Sequence, residues 1–152
     1  MTGMSGDLDD KDRMILRELR RDAGQKTTAL AKRVGLPRTT VHERIAKLQE
    51  EGIIRRWTVL LDHKKLDRGV TAFIFVGFAA GGVDQRTLAQ KIAEFPEVSE
   101  VFVVSGEWDI LIKVRASTLQ GIGDLIVDKL RAMPGVARTM TATSFETIKE
   151  EP

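Results

Sequence analysis

The stretch Thr27–Arg56, TTALAKRVGLPRTTVHERIAKLQEEGIIRR, constrains this chain more than any other. Leu30 and Val34 lie four apart on one helical face, and Gly35 follows directly. A glycine just past the last apolar residue supplies the left-handed turn that a β-carbon would penalise. A new helix then starts at Pro37, whose fixed φ and missing N–H suit a first helical position. Val41, Ile45 and Leu48 fall at i, i+4 and i+7, which is one buried face, and Gly52 ends the run. Two helices joined by so short a turn, the second with one face left free, form the arrangement in which a helix-turn-helix presents a recognition helix to the DNA major groove.

An earlier helix precedes them. It begins near Asp9, which can cap it, while Asp10 and Asp12 complement its positive end. Met14, Ile15 and Leu19 make its apolar stripe, and Gly24 sits past its end. The residues before it, from MTGMSGDLDDKD, read as a frayed, acidic lead-in, not as a signal peptide.

On the third helix, Thr39 and Glu43 point away from the buried face, with His42 and Ala46 beside them and Arg38 and Thr40 at the N-terminal end. Each has a definite chemistry on DNA. Arg38 can bond guanine or phosphate, Glu43 can accept from cytosine N4, and Thr39 and Thr40 can meet phosphate or a thymine methyl. His42 is a polar residue of the same face. Lys47, Arg55 and Arg56 suit phosphate, which sets register without reading sequence. Arg44 lies near the buried edge, where an internal ion pair and a phosphate contact are equally open readings.

Charge supports this face. Residues 1–69 hold 6 Lys and 10 Arg against 11 acids, a balance of +5, within a chain whose net charge is +2. The basic half is the half with the helix-turn-helix, which favours a polyanion such as double-stranded DNA. There is no Cys, which excludes disulfides, thiolate metal sites and a Cys nucleophile and fits a reducing cytoplasm. No apolar run reaches membrane-spanning length. The two His residues are far apart, and the chain has neither a metal-ligand cluster nor a phosphate-cradling glycine loop, so no enzyme and no cofactor or metal is expected.

After Gly52, Ile53, Ile54, Trp57, Val59 and Leu61 suggest an extended, partly alternating segment with Trp57 as a packing anchor. Beyond it the sequence repeats with a shift of 38 residues. Phe73, Ile74 and Val76 fall on Leu111, Ile112 and Val114; Leu88 and Ile92 fall on Ile126 and Leu130; Phe95-Pro96 falls on Met133-Pro134. Each copy reads strand, helix, Pro-marked turn, strand. Strands Thr71–Phe78 and Glu100–Val104 bracket a helix at Asp84–Glu94, and strands Asp109–Arg115 and Arg138–Ser144 bracket a helix at Leu119–Ala132. Two units in series give βαββαβ, a ferredoxin-like sandwich with helices on one sheet face. Neighbours in a strand alternate faces, so Phe73, Phe75, Phe102, Val104, Ile110 and Ile112 cannot all face the helices. Burial of the remainder predicts a second subunit on a two-fold axis. The joint Ser105-Gly106-Glu107-Trp108-Asp109 is either a plain hairpin turn or a place where Gly106 meets positive φ or a close approach.

In order and spacing, LDDKDRMILREL, ALAKRVGLPRTTVHERIAKLQEEGIIRRWTVLLD, VSGEWDILIKV and MPGVARTMTATSFE make the chain resemble the Lrp/AsnC family of bacterial and archaeal transcription regulators, from about Leu8 to Lys149. The resemblance implies dimers through the ferredoxin-like half, assembling into tetramers or octamers, and a C-terminal module that senses a free amino acid between dimers. The family's glycine-aspartate turn falls on Gly106 and Asp109, and its paired threonines on Thr139 and Thr141; Ser105, Trp108 and Thr143 are neighbours that help shape the pocket. Threonine hydroxyls and turn amides suit the carboxylate and ammonium of an amino acid. Trp108 is bulky enough to narrow that pocket or fill it.

The expectation is therefore an α+β chain: a winged-type helix-turn-helix at 1–52, a linker strand or hinge at 53–69, and a ferredoxin-like sensing and oligomerisation domain at 70–152. Its expected role is a cytoplasmic, nucleoid-associated homo-oligomer on a pseudo-palindromic operator. The alternative is an architectural, DNA-compacting protein of the same fold with no effector.

Overall fold

In the computed structural model, residues 8–79 and 83–150 are described, and residues 1–7 of the expected lead-in lie outside them. The chain divides into two units, the first ending at Val59 and the second beginning at Leu60.

The first unit holds α1 (Asp10–Arg21), α2 (Thr27–Val34) and α3 (Arg38–Glu50). Asp9 caps α1 through a capping box: its carboxylate accepts from the Asp12 N–H at 2.8 Å, and the Asp12 carboxylate accepts from the Asp9 N–H at 3.3 Å. Gly35 closes α2 at φ 65°. Ile15, Leu19, Leu30, Val34, Val41 and Leu48 form the core, while Met14 and Ile45 pack at its margin. Pro37 is one position earlier in its role than the sequence suggests. It keeps an extended ψ of 147° and caps α3, whose first residue is Arg38, and its carbonyl accepts from the Val41 N–H.

Arg44 is decided by this packing. Its guanidinium lies 2.7 Å from the Asp9 carboxylate and 2.8 Å from that of Asp12, so α3 is tied to the capping box of α1. The Asp12 backbone N–H, then the Arg44 guanidinium, hold the Asp9 carboxyl below its ordinary 3.8. A depressed carboxyl contributes stability above its unfolded value, and that stability is lost as pH falls through the folded value. We therefore expect Arg44→Met to lower the melting temperature at pH 7, and to lower it less once the pH is well below 3.8. Thermal unfolding followed by circular dichroism at both pH values measures this, and an equal loss at both would contradict the ion-pair reading.

The segment expected as a strand after α3 forms no ladder: residues 55–62 have no strand partner among the described residues. A 3-10 turn, His63–Leu66, follows, with Asp62 accepting from the Lys64 and Lys65 N–H groups.

The second unit is β1 (Val70–Phe78), α4 (Gln85–Ala93), β2 (Val98–Val103), β3 (Ile110–Ala116), α5 (Leu119–Asp124) and β4 (Val136–Thr143). The sheet order is β2-β3-β1-β4, antiparallel throughout. The repeat is visible in the register. Ile74 pairs with Ile112, its own equivalent, so the pseudo-two-fold passes between them. The helix expected as continuous at Leu119–Ala132 is ordinary only to Asp124, then widens to i→i+5 turns over Leu125–Leu130. Gly121 and Gly123 weaken its first turns, and such widened turns locally re-aim a buried face. Leu125, Ile126 and Leu130 still reach the core formed with Ala72, Ile74, Val76, Leu88, Ile92, Ile110, Ile112 and Val114.

The opposite sheet face carries an apolar row. Phe102 pairs with Leu111, Leu111 with Phe75, and Phe75 with Met140. Phe102 is 46% exposed and Met140 43%. Beside this row Arg138 lies across Gly77: a β-carbon on Gly77 would come within 2.7 Å of Arg138 Cγ. The guanidinium stacks 4.3 Å from the Trp108 ring centroid, and Trp108 in turn meets Phe75 at 6.1 Å. Gly77→Ala should therefore expel Arg138 from Trp108 and destabilise the second unit by about 1–3 kcal/mol, as overpacking does. Denaturant unfolding and tryptophan emission in a Trp57→Phe background test this; an unchanged emission maximum would show that the stack does not depend on Gly77.

Candidate functional site

The outward face of α3 is the first candidate. Arg38, Thr39, His42 and Glu43 line one shallow concavity of about 290 Å³. Arg38 also lines a second one with Lys26, Thr27 and Thr28, where α2 begins. Those three residues were not identified from the sequence. The helix-start signal at Thr27 was readable, but that Arg38 returns beside it is a result of the Gly35 turn. Lys26 caps α2 without a side-chain hydrogen bond, so the first amides of α2 face outward beside two cations. This is a combination suited to phosphate.

The other expected residues divide. Thr40 is half-buried, Lys47 is exposed with Glu51 at 3.7 Å, and Arg55 and Arg56 are exposed in the irregular segment after Gly52. Of the two readings of Arg44, the structure shows the internal ion pair: its guanidinium meets two carboxylates and its side chain is 29% exposed.

The β2–β3 turn is the second candidate. Gly106 sits at φ 129° with no atom within 4 Å of where a β-carbon would be. Its backbone conformation is one that L side chains rarely adopt, and the space beside it is open within the chain. Asp109 ties the turn to the end of β1: its carboxylate accepts from the Phe78 N–H at 2.8 Å, its N–H donates to the Val76 carbonyl, and its carbonyl accepts from Gln85 Nε2. Ser105 is exposed.

The structure does not gather all the expected effector residues. Thr139, Thr141 and Thr143 pair with Val76, Ile74 and Ala72, and so share the helix side of the sheet. Trp108 stacks with Phe75 and Arg138, which belong to the other side. Only Thr139 lies at the turn's end of the sheet, its hydroxyl accepting from Arg131 Nε at 3.3 Å. Thr143 stands four residues further along, roughly 13 Å away at the usual strand rise. Within one chain Trp108 lies on the face opposite the threonines, held there by its contacts with Phe75 and Arg138. Among the described residues no group of three or more His, Asp or Glu is placed to hold a metal ion. No helix there is long and apolar enough to cross a membrane.

Comparison with known proteins fits both halves. A winged helix-turn-helix DNA-binding family matches residues 8–55, and the Lrp/AsnC ligand binding domain matches residues 71–152. The chain is 48% identical over 145 residues to an uncharacterised HTH-type transcriptional regulator of Pyrococcus furiosus, covering 95% of this chain and 97% of the other. It is 34% identical to the leucine-responsive regulatory protein of Escherichia coli, over 95% and 88% of the two chains. The crystal structure of a Neisseria meningitidis transcriptional regulator in complex with L-Met superposes with a TM-score of 0.89 at 27% identity, covering 95% and 94%. With its DNA-binding helices followed by this ligand-binding sandwich, the chain belongs to the Lrp/AsnC family of DNA-binding transcriptional regulators.

Proposed function

We propose that this regulator acts as a dimer that sets two α3 helices into successive major grooves of a pseudo-palindromic operator. The observation that carries the reading is the exposed polar surface of Arg38, Thr39, His42 and Glu43, continued by Lys26, Thr27 and Thr28. It lies on a helix already anchored through Arg44. Base edges then meet Arg38, Thr39 and Glu43; Lys47, Arg55, Arg56 and the start of α2 hold phosphates. The apolar row Phe102–Leu111–Phe75–Met140 supports self-association through the sheet, with dimers stacking further into tetramers or octamers. The working place is the cytoplasm, on the nucleoid.

The effector we infer is a free amino acid, held near Gly106 and Asp109, with Thr139 at the same end of the sheet. The amino-acid complex of the Neisseria relative supports that class. Since Thr141 and Thr143 recede from the turn within one chain, their hydroxyls serve a pocket only where two copies meet. Binding there shifts assembly or operator affinity through a coupling of roughly 1–3 kcal/mol. A second reading, an architectural protein without effector, is favoured by one observation: the Asp109 carboxylate is already engaged by Phe78.

The test is selection of genomic fragments by the purified protein at physiological salt, repeated with each of the twenty amino acids. A pseudo-palindrome whose affinity one amino acid changes is the expected result. Binding that is steeply salt-dependent, has no motif and ignores amino acids would establish the architectural reading instead. On a recovered operator, Arg38→Gln should cost about 1–3 kcal/mol and relax preference at one base position. Uniform weakening on unrelated DNA would assign Arg38 to phosphate.

A further inference from the structure

The sheet face without helices carries two cations on β3, Lys113 and Arg115. Arg115 is only 6% exposed. A buried guanidinium cannot shed its charge, so it must hold an anion. The anion here comes from the chain's own C-terminal run. Ser144 extends the ladder by one bond, its N–H donating to the Thr71 carbonyl. The segment then bends back, and the Glu150 carboxylate reaches both cations. One oxygen, Oε1, serves Lys113 Nζ at 2.6 Å and Arg115 Nη2 together. Lys113 has a second partner in Glu100 at 3.0 Å, whereas Glu150 is the only carboxylate paired with Arg115 among the described residues.

This seat is incomplete. Arg115 Nε is buried and has no hydrogen-bond partner among the described residues. A carboxylate meets arginine best with two parallel N–H···O bonds, and Glu150 supplies one oxygen where the guanidinium offers an edge. Its tether explains why it still wins: a group on a short chain competes at an effective concentration in the millimolar range. A carboxylate without a backbone attachment can turn both oxygens onto Nε and Nη2. If the tail left without replacement, Arg115 would be a buried charge with no counter-ion, so release of the tail and entry of another anion are one exchange.

We propose that Lys113 and Arg115 form a carboxylate-binding site, distinct from the β2–β3 turn, which the chain fills with Glu150 and which a small free carboxylate takes over, releasing residues 144–150. The released run bears Phe145 and Ile148, whose side chains already point into solvent. Exchange therefore changes what the sheet face offers to other surfaces without unfolding the strands. Lys113 first among its contacts, with Arg115 behind it, holds the Glu150 carboxyl below the ordinary carboxylate value, so the tail competes as an anion throughout the neutral range. The inference does not depend on DNA binding or on the amino-acid reading.

The test uses the full chain and titration calorimetry with succinate, and with succinamide as the uncharged control. Glu150→Gln should bind succinate at least tenfold more tightly than the wild type, and succinamide should not bind. Adding Arg115→Lys, which keeps the charge and removes the fork, should abolish that gain. Lys113→Gln in the same background reads the loss independently if the Arg115 variant does not fold by circular dichroism. In the wild type, saturating succinate should speed amide exchange in residues 144–150. A capped peptide of residues 144–150 distinguishes the two sources of carboxylate. Peptide binding without succinate binding would make the seat a structural latch for the tail and overturn the proposal. So would a Glu150→Gln chain that binds succinate no better than the wild type.

Discussion

A β-strand sends alternate side chains to opposite faces, and in this chain both faces of β1 are apolar. Ala72, Ile74 and Val76 meet the helices, which leaves Phe73 and Phe75 on the other side. The helices arrive on one face only, because each βαβ crossover has the same hand and packs back on the same side. The second unit is therefore built with a completed core and an unfinished surface. The apolar row across its four strands, the stack of Arg138 on Trp108 and the seat of Arg115 all lie on that unfinished side. Its chemistry is mixed. The row asks for another apolar surface, and the buried guanidinium asks for an anion.

The first unit solves a different problem. Three short helices enclose a small core, which by itself fixes helix directions poorly. The capping box of α1 concentrates two carboxylates at one point, and Arg44 joins α3 to it. An exposed ion pair adds little to stability, yet a two-carboxylate clamp sets rotation and register of the helix that carries the outward residues. Arg44 thus fixes the geometry of the helix whose outward face is proposed to meet DNA. Lys11, donating to the Val34 carbonyl, closes the end of α2 in the same way.

Much of this was readable from residues in order. Gly35 after Val34, Asp9 before α1 and Asp84 before α4 are local signals, because turns and caps are decided by neighbours within a few positions. The 38-residue repeat announced the βαββαβ order, and the register then pairs the equivalent residues Ile74 and Ile112. Linear order says less where a distant partner decides. Residues 55–62 look like a strand, but a strand exists only when something pairs with it. The helix after Leu119 reads as regular, and its widening over Leu125–Leu130 carries no signal in the periodicity. The threonines and the glycine turn read as one cluster; within one chain the threonines share the helix side, while Trp108 meets Phe75 and Arg138 on the other.

By itself, the sequence determined the three helices of the first unit, that two similar strand-helix-strand units follow them, and which positions of α3 lie away from its buried face. These follow from periodicity, caps and charge, all of which act over a few residues. Tertiary structure alone decided that Arg44 faces two carboxylates, that Arg38 returns beside Lys26, and that Glu150 lies on Arg115. Each of these joins residues far apart in the chain, and the strength of a charge contact depends on distance and burial, which no run of neighbours specifies.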